Sequence, residues 1–162
     1  MLPNTVTKIE ADAFVSRKGL TSVVIPGSVQ EIPSGAFMYC SGLQSVVIEP
    51  GVKVIGERAW HDATSPWPTR PDFVIDALGA FQGCSSLRSV SVPGSVKHIG
   101  TGVFDGCVSL ETVTLGQGVE TIGDGTFQPD NVGAFSRCTN LASITIPRTV
   151  KSIGSEEFAD CT

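Results

Sequence analysis

The apolar residues of this chain return every 23 positions, and that period limits what the chain can fold into more than any other feature. Leu20 and Leu43 are 23 residues apart, as are Leu87 and Leu110. The aromatic position keeps the same step at Phe14, Phe37 and Trp60, at Phe81, Phe104 and Phe127, and at Phe135 and Phe158. A period in the twenties builds one small unit per repeat and buries its core by stacking the units. Five full units start near Leu20, Leu43, Leu87, Leu110 and Leu141, and a partial one covers residues 1–19. Residues 1–162 therefore read as a single solenoid domain.

Within each unit the letters L-x-x-V-x-I alternate with small polar residues, the pattern of a short strand with one buried side. The inward positions are Val23 and Ile25 in the first full unit, Val46 and Ile48, Val90 and Val92, Val113 and Leu115, and Ile144 and Ile146 in the others. Stacking sets equivalent strands side by side as a parallel sheet, so five or six coils extend about 25 to 30 Å. The outward positions are then Ser22 and Val24, Ser45 and Val47, Ser89 and Ser91, Thr112 and Thr114, and Ser143 and Thr145. They form a hydroxyl ladder with two valines at one end, either a surface for a partner or plain β-compatible positions facing water. Prolines follow the strand at Pro26, Pro93 and Pro147, and glycines close the unit at Gly56, Gly100, Gly123 and Gly154, as corners require. The fold class expected is a β-rich solenoid with one short parallel strand per coil and little helix.

Two gaps break the step. Leu43 to Leu87 is 44 residues, 21 more than one period, and Leu110 to Leu141 is 31, 8 more. The surplus, about residues 61–80 and 128–135, lies between an aromatic (Trp60, Phe127) and a second G-A-F segment, Gly79-Ala80-Phe81 or Gly133-Ala134-Phe135. Insertions in a solenoid collect in loops on one face. The second reads as a plain turn. The first carries Trp67, Arg70 and Phe73 among prolines, residue types that anchor interfaces on a loop with little to lose on ordering. The competing reading folds Trp67 and Phe73 back over the interrupted coil.

Lys and Arg number 11 against 16 Asp and Glu, a net charge of −5, with no basic run, so nucleic-acid binding by phosphate neutralisation is not expected. Apolar runs such as Val46-Val47-Ile48 are far too short to span a bilayer. The opening residues lack a charged segment followed by an apolar one, so no signal peptide is expected in this chain, and the compartment stays open. Cys40, Cys84, Cys107, Cys138 and Cys161 each follow an aromatic by three residues, which predicts a column of small buried thiols. An odd number at a fixed repeat position, with no C-x-x-C, argues for neither a disulfide framework nor zinc.

Units such as Cys84-Ser-Ser-Leu87-Arg-Ser-Val90-Ser-Val92-Pro93-Gly-Ser-Val96-Lys-His-Ile99-Gly100 resemble the BspA-like leucine-rich repeats nearly letter for letter. The resemblance covers all but the insertions. It implies a right-handed solenoid with a sheet on one face, found in surface and adhesion proteins, and it brings no catalytic residues. Departures are Arg17 for the first cysteine, Glu49 for the strand-end proline and Pro33 for a glycine.

Little else carries chemistry. His61 and His98 sit in different coils without ligand spacing and read as solvated, and glycine pairs such as Gly100 and Gly102 lack the strand-loop-helix setting of a phosphate loop. No catalytic, cofactor or metal residue is expected, and a non-enzymatic protein-binding or adhesion module follows. The alternative is a scaffold subunit packed end to end, since no polar capping repeat is legible at either end.

Overall fold

The computed structural model describes residues 2–56, 79–123 and 132–161. Each full coil contributes two strands: β1 (Ser22–Ile25) and β2 (Glu31–Ile32), β3 (Ser45–Ile48) and β4 (Val54–Ile55), β5 (Ser89–Val92) and β6 (His98–Ile99), β7 (Thr112–Leu115) and β8 (Thr121–Ile122), and β9 (Ser143–Thr145) and β10 (Ser152–Ile153). No helix occurs among the described residues. The chain is a β-rich solenoid, as its period predicts.

The longer strands form one parallel sheet, β1-β3-β5-β7-β9, and the shorter ones a second, β10-β8-β6-β4-β2. One strand per coil was the expectation, so the second sheet is an addition. Its strands are two residues long, too short for alternation to show in a sequence. Pairing is in strict repeat register, Ser22 opposite Ser45 and Ser89 opposite Thr112 on one sheet, Ile32 opposite Ile55 and Ile99 opposite Ile122 on the other.

The third side of the coil holds the aromatic corner. There the Phe37 amide donates to Ala80 O at 2.7 Å, Phe81 to Val103 O at 2.8 Å and Phe104 to Ala134 O at 2.7 Å, so coils are hydrogen-bonded here as well. The rings of Phe14, Phe37, Phe81, Phe104, Phe135 and Phe158 stack in one column with centroids 4.9 to 5.5 Å apart. In the interrupted coils the position is held by Phe81 and Phe135. Gly79-Ala80-Phe81 and Gly133-Ala134-Phe135, which the count above placed at the ends of the insertions, are therefore built into the coils and buried. Trp60 and Phe127, which share the numerical register, lie outside the described residues.

Close stacking explains the corner glycines. A Cβ on Gly27 would stand 2.0 Å from Pro50 O of the next coil, and one on Gly100 2.2 Å from Gly56 O. The residue two beyond each aromatic has positive φ, at Ser16, Tyr39, Gly83, Gly106, Arg137 and Asp160, which turns the chain from the corner back toward the first sheet.

Candidate functional site

The outer face of the first sheet gathers all ten strand positions singled out above. Ser22, Ser45, Ser89, Thr112 and Ser143 form one column across the strands, and Val24, Val47, Ser91, Thr114 and Thr145 the next. Nine of the ten are exposed and Val24 is half-buried. Val47 is 52% exposed, an uncommon position for a β-branched apolar side chain in the middle of an uncovered sheet. Four interstrand steps of about 4.8 Å carry each column about 19 Å. None of the ten is charged. At the rim, on the residue before each strand, Arg88 pairs with Glu111 at 3.4 Å across adjacent coils in full solvent.

Alternation produces this surface directly. Val23, Val46, Val90 and Val113 point inward from the same strands and are buried, so the intervening hydroxyls must point out. Chemically the face offers hydroxyl donors and acceptors at fixed spacing, with one apolar step at Val24 and Val47. It holds no titratable group, so acid–base or nucleophilic work would need residues from elsewhere.

Trp67, Arg70 and Phe73 lie outside the described residues, as does His61. His98 is on the second sheet, exposed as expected, and shares a 2.7 Å hydrogen bond through Nδ1 with Thr121 Oγ1 on the next coil. Among the described residues, no group of three or more His, Cys, Asp or Glu is arranged to hold a metal ion. Nor is any helix there long and apolar enough to cross a membrane.

The cysteines do form the predicted column, and all five are free thiols. Each Sγ–H donates to the carbonyl of the phenylalanine one coil earlier: Cys40 to Phe14, Cys84 to Phe37, Cys107 to Phe81, Cys138 to Phe104 and Cys161 to Phe135, at 3.0 to 3.3 Å. Burial pushes the Cys84 and Cys138 thiols up to about 12 and Cys107 well above its usual range. These are packing groups that satisfy a carbonyl, not nucleophiles.

One cluster was not foreseen. Asp105, 1% exposed, takes both Arg137 Nε (2.8 Å) and Nη2 on its carboxylate, and Gln82 Nε2 donates to it at 2.9 Å. Gln82 Oε1 is a buried acceptor that lacks a partner. Asp and Gln are usually exposed, so nothing in their spacing marks them; only the position one beyond the stacked ring does.

Two parallel sheets, a hydrogen-bonded aromatic corner and a 23-residue step define a parallel β-solenoid of leucine-rich-repeat type. The profile of the BspA type leucine rich repeat region matches residues 1–65 and 77–162 in six copies, and the chain belongs to that family. Among solved structures, it is similar to a leucine-rich repeat protein from Eubacterium ventriosum, at 23% identity and a TM-score of 0.72 over 99% of this chain and 36% of that one. It is also similar to a leucine rich cell surface protein from Faecalibacterium prausnitzii, at 33% identity and a TM-score of 0.59 over 86% of this chain and 30% of that one. The pneumococcal vaccine antigen PcpA shares the fold at 23% identity and a TM-score of 0.64, over 88% of this chain and 28% of that one. The chain thus spans about a third of the length of these structures. No curated protein matches it.

Proposed function

We propose that this chain is a non-enzymatic protein-interaction module that binds through the outer face of its first sheet, in the manner of an adhesion repeat. The observation that carries this reading is the face itself: two uncharged columns in strand register, uncovered, with Val47 half out of the surface. A rigid sheet loses little entropy on docking, so small contacts repeated over five coils add up to useful affinity. The cell-surface description of the Faecalibacterium relative agrees with this reading. Trp67, Arg70 and Phe73 belong to the proposal by residue type, as hot-spot candidates.

The test is to pan a displayed library of protein domains against the wild-type chain and against a V47K/S91R/T114R variant. Ligands of the wild type should lose about tenfold or more in affinity on the variant, a change of about 1.4 kcal/mol. They should keep it on a K97A/H98A control in the second sheet. Ligands that bind all three alike place the site elsewhere. Trp67→Ala and Phe73→Ala extend the test: weaker binding with an unchanged melting temperature supports an anchoring loop, whereas lost stability supports a packing role.

A further inference from the structure

The aromatic corner carries a small polar site of its own. Two residues beyond each stacked ring, Tyr39, Gly83, Gly106 and Arg137 form a column over four successive coils. Backbone amides lock it in register, Tyr39 N–H on Gln82 O, Gly83 N–H on Asp105 O and Gly106 N–H on Ser136 O. Tyr39 is 50% exposed and the Arg137 side chain 57%, although each belongs to a coil with a stacked neighbour on both sides. The two lean toward each other. The Tyr39 ring lies over Gly83, where a Cβ would stand 2.4 Å from its Cδ1. Arg137 reaches back one coil to Asp105, beside Gly106. Its hydrogen bonds to Asp105, and then the nearby charges of Asp105, Tyr39 and Asp160, hold the guanidinium pKa above its ordinary value, so the Tyr39 hydroxyl stands within electrostatic reach of it. Between them a Cβ on Gly106 would meet nothing nearer than 3.9 Å. Its φ of 67° does not call for glycine, since Tyr39 and Arg137 hold 57° at the equivalent place. The missing side chain leaves a notch, floored by Gly83 and Gly106 and walled by the Tyr39 ring and the Arg137 guanidinium.

We propose that this notch seats one neutral sugar ring of a glycan, stacked on Tyr39 and hydrogen-bonded by Arg137 and Gln82. The groups around it select that chemistry. Asp105 takes the Nε and Nη2 side of Arg137, which leaves the Nη1 hydrogens to donate, so the ligand must offer an acceptor. Gln82, 7% exposed, keeps a buried Oε1 with no partner, so the ligand must also offer a donor. A hydroxyl is both, and neighbouring hydroxyls on one ring serve the two groups together. A turn of the exposed Tyr39 ring, a fast motion for such a side chain, opens the way to Gln82 Oε1. The C–H face of a sugar then covers the ring, whose negative π face attracts it. Charge excludes the rivals. One guanidinium stands against the carboxylates of Asp105 and Asp160, so an anion is repelled. A cation gives Arg137 no acceptor and faces its like charge. The notch lies on the aromatic side of the coil, apart from the first-sheet face, so it is a second site and does not depend on that one.

Tyr39 is the one tyrosine of the chain, so in a sample with isotope-labelled tyrosine the ring signal reports on the notch alone. The methyl glycosides of glucose, galactose, mannose and N-acetylglucosamine are titrated into the full chain up to tens of millimolar, with glucuronate and a lysine oligopeptide alongside. At least one neutral glycoside should shift the Tyr39 signal to saturation, and more strongly than either charged probe. Gly106→Asn fills the notch with a residue that accepts positive φ, and should weaken that binding about tenfold or more at an unchanged melting temperature. Tyr39→Asn, followed by calorimetry, should do the same. V47K/S91R/T114R should bind the glycoside as the wild type does. A Tyr39 signal that no neutral glycoside moves overturns the proposal, as does a stronger response to glucuronate or to the peptide. So does binding that survives Gly106→Asn and Tyr39→Asn, or that is lost in V47K/S91R/T114R.

Discussion

At the scale of the residue, the cysteine column shows how a buried polar atom earns its place. In a solenoid stacked at about 4.8 Å, the carbonyl of each stacked phenylalanine accepts the amide three residues on in its own turn, and the thiol one coil later adds a second donor. The pKa shifts follow from burial and predict a pH dependence. Below pH 9.0, the ordinary thiol value, Cys84 is protonated folded or unfolded, and its contribution is constant. As pH rises from there toward about 12, the unfolded chain ionises and the folded one does not, so stability is lost. The melting temperature should therefore fall as the pH is raised above 9.0 toward about 12, and less steeply in Cys84→Ala/Cys138→Ala. In a native thiol-labelling assay Cys161, the half-buried end of the column, should react first, with Cys107 protected until unfolding. The burial of the thiols was readable from their period. Their acceptors were not, because a carbonyl partner depends on the stagger between coils, and the Asp105 to Arg137 pair was invisible for the same reason.

At the scale of the element, the first sheet was legible and the second was not. Four-residue strands such as Ser89–Val92 alternate cleanly between exposed and buried, whereas His98–Ile99 is too brief to alternate. Equal spacing left Trp60 and Phe81 as rival occupants of one aromatic position; ring stacking of Phe81 between Phe37 and Phe104, at 5.2 and 5.5 Å, identifies the residue that fills it. Stacking also sets a gradient of cost. Phe104 is sandwiched between Phe81 and Phe135 and fully buried, so Phe104→Ala should cost about 3–5 kcal/mol. Phe158 has a ring on one side only, so Phe158→Ala should cost about half that. Urea denaturation of the two variants measures the difference, and equal losses would contradict a column whose members depend on neighbours on both sides. Of the candidate face, the ten strand residues followed from alternation alone; what they bind does not, since hydroxyls serve water and partners equally well.

At the scale of the whole molecule, each coil touches only the coils beside it, so stability is a sum over neighbours and is lowest at an unsealed end. Hydrogen exchange should be slowest in β5 and β7, flanked by strands on both sides, and fastest in β9 and β10. One corner has a further consequence. Twenty-two residues separate Gly56 from Gly79 and nine separate Gly123 from Gly133, yet Phe81 and Phe135 keep their places in the column. In the uninterrupted coil the same corner is just Gly100-Thr101-Gly102. Because the closure entropy of a loop grows only slowly with its length, that corner is a port: a foreign epitope or tag spliced at Thr101 would ride on the solenoid without shifting its register.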